Sequence, residues 1–303
     1  MIVSPLRYPG GKAKLFPFFA DLIATNELYG AEYCEPYAGG AGLAIRLLTE
    51  GFVDKISLND IDGSICAFWR SAIYRSAEFC ELLEATPITI EEWHRQREIW
   101  RSTDRIDDLE FGFATYFLNR TNRSGIIDGA GPIGGYEQRS EWNLSARLVK
   151  AKQISNIKAL SKFANQIEIT CLDALDFTAG KMRSKGTFIY LDPPYYVKGQ
   201  KLYKNFYHPE DHAQIARKLR SWSRGRWVVS YDDVSAIRDL YDGFTLLDYS
   251  LNYSAGRVSL GNEVLFLSNA LSAPPQLRFP NSSRELSSPN RLVESRTESR
   301  DGK

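Results

Sequence analysis

Four short apolar runs, each cut off by a polar or Pro/Gly signal, constrain the fold more than any other feature of the chain. They are EYCEPYA (32–38), KISLND (55–60), GTFIYLDPPYY (186–196) and RWVVSYDD (226–233). Near-continuous apolar character over about four to eight residues, rich in β-branched and aromatic side chains, belongs to strands buried on both faces. QIEITCLDALDF adds a further strand over 167–172, and FTLLDYSLNYS and NEVLFLSN should pair as an antiparallel hairpin because nothing helical separates them. Helical stretches lie between the runs. LAIRLLTEG stops at Gly51, and PEDHAQIARKLRSWS carries Asp211 early and cations late, as the helix dipole favours. Strand–helix alternation of this kind predicts an α/β fold with a doubly wound, Rossmann-like sheet covered on both faces.

The alternation breaks between Thr86 and Lys150. EEWHRQREIWRSTD reads as a polar amphipathic helix, LEFGFATYFLNRTN as a more apolar one, and RSGIIDGAGPIGGYEQRSEWN as a Gly-rich loop or short hairpin. Residues 86–150 are therefore expected to form a small, mainly helical subdomain inserted into a sheet domain made of 1–85 and 151–270. From 271 to 303 the composition turns to Ser, Pro and Arg, which predicts a disordered tail.

The 303 residues, 43% hydrophobic, suffice for one large core. A formal net charge of +1 means that any nucleic-acid surface must be local. No apolar run approaches the roughly 20 residues of a membrane span. Cys34, Cys66, Cys80 and Cys171 form no CxxC pair and read as reduced thiols of a cytoplasmic protein, and three histidines argue against a His-based metal site.

LRYPGGKAKLF, near the N-terminus, imitates a phosphate loop but fails its requirements. Leu6 stands where that loop needs glycine, and Ala13 where it needs the hydroxyl that binds Mg²⁺. The strand ends are more informative, because ligands of open α/β sheets bind outside the carboxyl ends of the strands. EPYAGGAGL (Glu35, Pro36, Tyr37, Gly39, Gly40) offers glycines that let backbone approach a ligand, although Ile45 breaks the dinucleotide fingerprint. NDID places Asp60 where ribose hydroxyls could donate to it, and Asp173 in CLDALDF could meet an adenine amino group. Each alone reads as a turn glycine or a helix cap. At successive strand ends they favour a nucleoside-bearing cofactor.

FIYLDPPYY decides the chemistry. An apolar strand runs into Asp192, Pro193, Pro194 and Tyr195, and the prolines forbid a further central strand or helix. The Asp192 carboxylate and Pro193 carbonyl become adjacent acceptors beside an aromatic ring. That set suits a planar base whose exocyclic amine donates two hydrogen bonds. An aryl amine is a poor nucleophile, and acceptors on both N–H groups favour the tetrahedral nitrogen of the attacking state.

In order, PLRYPGGKAKL, EPYAGGAGL, NDID, FLNRTNRSGI, CLDALDF, YLDPPYY and GNEVLFL resemble the D12-class, Dam-like N6-adenine DNA methyltransferases over residues 4 to 269. The resemblance implies S-adenosylmethionine as cofactor, no metal, and direct transfer of its methyl group to N6 of adenine in duplex DNA. It implies cofactor contacts from Tyr8 and Lys12, with Lys12 meeting the methionine carboxylate, and it makes 86–150 the target-recognition segment. An RNA-adenine methyltransferase and a catalytically inactive DNA-binding relative are the alternative readings. The expected partner is double-stranded DNA, with a cognate restriction endonuclease of a restriction–modification system as a candidate second partner, and the expected state is a monomer.

A target base inside a duplex must be flipped out, and Tyr195 is the expected stacking partner. Lys198, Lys201 and Lys204 interleave with Tyr203, Phe206 and Tyr207, a pattern that fits phosphates and bases as well as it fits a solvated face. In the insertion, Arg120, Asn122, Arg123, Gln138 and Arg139 are candidate readers of base edges or phosphates, and Arg257 is a candidate phosphate contact.

Overall fold

The structure, a computed structural model, describes residues 1–8, 11–102, 107–196, 207–253 and 259–280. Its centre is one seven-stranded sheet in the order β3-β2-β1-β4-β5-β7-β6. The strands are β1 (Glu32–Glu35), β2 (Lys55–Asn59), β3 (Ile167–Thr170), β4 (Thr187–Leu191), β5 (Arg226–Asp232), β6 (Thr245–Tyr253) and β7 (Ser259–Leu267). β1 to β5 run parallel, while β7 pairs antiparallel with both β5 and β6. The chain winds outward from β1 to β3 and then returns to β4 on the other side of β1, so the strand order reverses between β1 and β4. That reversal is where an open α/β sheet leaves a crevice for a ligand.

The register explains why these strands are apolar on both faces. Tyr33 pairs with Phe188 and Cys34 with Ile189. Tyr33 and Phe188 belong to the core on one face, Cys34 and Ile189 to the core on the other. All five residues of β4, TFIYL, are buried. The doubly wound α/β architecture expected from the sequence is the observed one, including the antiparallel hairpin at its edge.

Helices α1 (Phe16–Thr25), α2 (Gly42–Thr49), α3 (Gly63–Tyr74) and α4 (Ser76–Ala85) surround the first half of the sheet. Asp62 caps α3 by accepting the Ser64 N–H at 2.8 Å. The insertion holds α5 (Ile90–Arg101) and α6 (Asp108–Thr121), followed by α7 (Lys150–Ser161). Thr89 and Asp107 cap α5 and α6. α6 lies directly on α3. A Cβ at Gly112 would stand 2.5 Å from the Ala67 carbonyl oxygen, so glycine is what allows the two backbones this close. Tyr116 stacks on Phe68 with centroids 5.7 Å apart. Residues 86–150 interrupt the order of the strands, yet Trp93, Phe113, Tyr116 and Phe117 share one core with the sheet.

The second half adds α8 (Ala174–Lys181), α9 (Pro209–Ser221) and α10 (Ser235–Leu240). The segment after 270, expected to lack structure, packs at its start. Leu271 and Phe279 are buried, and the Phe279 ring stacks between Phe18 at 4.7 Å and Tyr249 at 5.1 Å. Its two apolar side chains reach the core despite the polar composition around them. Burying such a ring contributes about 3–5 kcal/mol relative to alanine. No described helix is long and apolar enough to cross a membrane.

Candidate active site

β4 delivers Asp192 to the crevice between β1 and β4, where Ser230 and Lys12 contact it and further polar groups contact them. Ser230, on the neighbouring β5, donates its Oγ hydrogen to Asp192 Oδ1 at 2.6 Å. Ser230 Oγ in turn lies 2.9 Å from the Tyr190 hydroxyl. Lys12 Nζ lies 2.9 Å from each Asp192 oxygen and 2.9 Å from the Tyr195 hydroxyl. The Tyr195 hydroxyl donates to Glu263 Oε1, and Glu263 Oε2 accepts from Tyr249 and lies 3.8 Å from Lys12 Nζ. Lys12 and Glu263 are buried, whereas the Asp192 side chain keeps 26% of its surface.

Burial alone would lower the Lys12 pKa, but the Asp192 and Glu263 carboxylates outweigh it and hold the ammonium above its ordinary value. Burial pushes Glu263 up, against the opposing charge of Lys12. A carboxylate offers about four lone-pair positions. Lys12 engages both Asp192 oxygens and Ser230 one of them, which leaves lone-pair positions on the partly exposed carboxylate able to accept an N–H.

Glu35, at the end of β1, faces the same crevice. A cavity of about 30 Å³ is lined by Lys12, Glu35, Tyr37, Gly42, Leu43, Tyr190 and Asp192. Glu35 is buried, accepts the Tyr33 hydroxyl at 3.1 Å, and is pushed up to about 8 by burial. The glycines of EPYAGGAGL do allow a close approach, but by Tyr8. A Cβ on Gly39 would lie 2.7 Å from the Tyr8 ring, and one on Gly40 2.8 Å from Tyr8 Cβ. Pro36 is buried beside them, and its carbonyl accepts Asn59 Nδ2 at 3.0 Å.

Asp60 accepts the Gly39 N–H at 2.9 Å through one oxygen and the Asp62 N–H at 3.0 Å through the other. Burial raises it to about 6 against those two bonds. Asp173 is exposed and caps α8, its Oδ1 accepting the Leu175 and Asp176 N–H groups. Tyr37 bonds to the Tyr207 hydroxyl at 3.1 Å.

Three groups of expected site residues are engaged by their own chain. Lys12, expected at the methionine carboxylate, is bound to Asp192 and Tyr195 of its own chain. Tyr195, expected as the stacking partner of the flipped base, is buried with its hydroxyl tied to Lys12 and Glu263. The third group lies in the insertion, where most candidate base readers serve the backbone. Asn122 is fully buried: Nδ2 donates to the Ile126 and Ile127 carbonyls at 2.8 and 3.1 Å, and Oδ1 accepts Trp93 Nε1 at 2.7 Å. Gln138 donates to the Ile133 and Gly135 carbonyls and accepts the Leu144 N–H at 2.9 Å. Arg120 reaches the Pro5 and Arg147 carbonyls. Carbonyls of irregular backbone have no ladder partner, and these side chains supply donors to them.

Arg123 and Arg139 are exposed, Arg139 in an ion pair with Glu137 at 3.1 Å. Lys198, Lys201, Lys204 and Arg257 lie outside the described residues. Sequence reasoning missed Ser230 and Glu263. The signal was there: each is a polar residue inside an apolar strand run, WVVSYD and NEVLFL, where a buried polar group needs a partner.

Residues 8–255 match the family model of the D12 class N6 adenine-specific DNA methyltransferases. No curated protein matches the chain. Among solved structures it is similar to a proposed RNA methyltransferase from Pyrococcus horikoshii (TM-score 0.40, 10% identity, covering 87% of this chain and 86% of that one). It is also similar to the rRNA methyltransferase AviRa from Streptomyces viridochromogenes (TM-score 0.38, 14% identity, covering 87% and 86%).

Proposed function

From the premise that the chain belongs to the D12 class N6 adenine-specific DNA methyltransferases, we propose that it methylates N6 of adenine in duplex DNA, using S-adenosylmethionine and a flipped-out base. The observation that carries this reading is the Asp192 carboxylate, one-quarter exposed at the strand-order reversal and held by Ser230 and Lys12.

The target amine donates one N–H to Asp192 and the other to the Pro193 carbonyl. As the nitrogen becomes tetrahedral and gains positive charge, the fixed carboxylate binds it more tightly than the planar ground state. Ser230 and Lys12 hold the carboxylate in place beforehand, so little reorganisation is needed during the reaction. The proton that N6 loses passes to an Asp192 oxygen and then to solvent through its exposed edge.

The donor set of the crevice fits the cofactor, which supplies an electrophilic methyl group when bound. Glu35 is a buried carboxyl whose raised pKa marks it as short of positive charge, and the ammonium of an amino-acid moiety would answer it. Asp60 holds the glycine turn and presents a carboxylate for ribose hydroxyls. Tyr8, packed on Gly39 and Gly40, lines the same turn. The insertion at 86–150 is assigned target recognition through its exposed residues. The test is expression in a host free of DNA methylation, followed by long-read mapping of N6-methyladenine. One methylated motif is expected with the wild type and none with Asp192→Ala. Methylated RNA with unmodified DNA would overturn the substrate assignment.

A further inference from the structure

Arg7, Arg120 and Arg147 meet where the N-terminal segment crosses the end of α6, and none of them has a carboxylate partner among the described residues. Arg120 ties the three together. It donates to the carbonyl of Pro5, two residues before Arg7, and to the carbonyl of Arg147 itself. Arg7 Nη1 donates to the Asn122 carbonyl at 3.1 Å, two residues beyond Arg120. A guanidinium carries five N–H donors, and Nε of Arg120 is buried without a partner. Burial, and after it the charges of Arg120 and Arg147, lower the Arg7 pKa. Burial and the Arg147 charge lower that of Arg120, with Tyr116 opposing. Fixed like charges with unused donors are stabilised by a bound anion.

The backbone here is held in place. Asn119 accepts the Arg7 N–H at 2.8 Å and donates to the Arg7 carbonyl at 2.7 Å. A Cβ on Gly125 would stand 2.6 Å from that carbonyl, so the loop after α6 packs against it directly. Arg147 is exposed, with its guanidinium 5.6 Å from the centre of the exposed Trp142 ring. Arg7 is followed by Tyr8, on the glycine turn, and stands five residues before Lys12, on Asp192. Five residues span at most roughly 18 Å. The cluster thus lies within a few nucleotides' reach of the reacting amine.

We propose that Arg7 and Arg147, braced by Arg120, form a binding site for a backbone phosphodiester of the DNA strand flanking the flipped adenine. The site rests on the DNA methyltransferase reading above. It contributes register and affinity but no sequence preference, because phosphates carry no base identity.

The experiment measures binding of a duplex made only of G·C pairs, which lacks the target base, from 50 to 200 mM salt. Wild type, Arg147→Gln and Arg7→Gln are compared. Each substitution should reduce the slope of log affinity against log salt by about one. The loss of affinity over that range then shrinks about 3.5-fold relative to wild type. Arg147→Gln, at an exposed position, should leave the melting temperature and S-adenosylmethionine affinity unchanged, which separates phosphate binding from folding. Wild-type binding with unaltered slopes in both variants would overturn the inference and leave the reaction assignment standing. A wild type that binds no duplex would overturn both.

Discussion

At the end of β4 polar side chains bond chiefly to one another, whereas at the end of α6 they bond chiefly to the main chain. Lys12, Asp192, Tyr195, Ser230 and Glu263 make a connected set of side-chain contacts around one carboxylate that is about one-quarter exposed. Asn119, Arg120, Asn122 and Gln138 spend their polar atoms on the carbonyls and N–H groups of irregular backbone. Within the strand no such help is needed, because paired strands satisfy their own main chain, although Asp232 still accepts the Tyr196 N–H just past β4. Side chains there are free to be set against each other, and a fixed charge results. A glycine-rich loop crossing a core has no ladder, so its buried polar side chains become part of the scaffold.

The largest effect is expected from removing the Asp192 charge. Asp192→Ala should lower the methyl-transfer rate by at least about 10²–10³, the usual cost of one transition-state contact. Cofactor binding should survive, because Asp192 is assigned to the amine. Single-turnover kinetics alongside calorimetry with S-adenosylmethionine check both halves. A variant within a few-fold of wild type would show that the corner is structural, like the loop.

The matching test on the other region is Asn122→Ala. It strands the buried Trp93 indole N–H, at a cost of about 1–3 kcal/mol, and removes the donor of the part-buried Ile126 and Ile127 carbonyls. A clear fall in melting temperature is expected, with the methylated motif unchanged in whatever protein folds. A stable variant with a relaxed motif would return Asn122 to the role of base reader.

These two residues also show what the sequence could convey. Asp192 was legible because two prolines and an apolar run dictate the local backbone, and the backbone dictates where the carboxylate stands. Glu35 and Asp60 were placed correctly at strand ends for the same reason. Asn122 has the same donors and acceptors whether it meets a base or a carbonyl, and only the path of the loop after it decides which. Lys12 and Glu263 lie about 250 residues apart in sequence, so their convergence belongs to the sheet order and not to any local pattern. Phe279 was hidden in a polar stretch because one ring suffices to anchor a segment.

Glu35 makes the strand-end site sensitive to pH. Its pKa is about 8 in the folded chain against an ordinary 4.5, so between those values the native state holds the extra proton. Stability from this group is full below about pH 4.5 and declines as pH rises towards 8. Glu35→Gln should remove that decline, gaining on the order of 1 kcal/mol over wild type for each pH unit across the window. Thermal unfolding from pH 5 to 9 reads it directly. Parallel curves for the two proteins would mean that Glu35 is already ionised and paired. Cofactor binding should also expel a proton near pH 7, seen as a heat that varies with the ionisation enthalpy of the buffer.

The smallest effect is expected at Arg139, and it separates the scaffold of the insertion from its surface. Arg139 is exposed and its ion pair with Glu137 joins two exposed side chains. Such pairs contribute little to stability, so Arg139→Ala should shift unfolding by no more than about 0.5 kcal/mol. Its place beside Gln138 puts an exposed cation next to a side chain whose amide is bonded to the loop backbone. If that outer face meets DNA, the variant should weaken all duplexes alike and lower the salt slope by about one. Arg123, also exposed, is the contrasting case: a base-reading arginine there would alter the preference at one position by about 1–3 kcal/mol. Motif mapping of both variants at two salt concentrations distinguishes the roles. A motif that changes with Arg139 and not with Arg123 would exchange them, and no change with either would confine the insertion to its structural work.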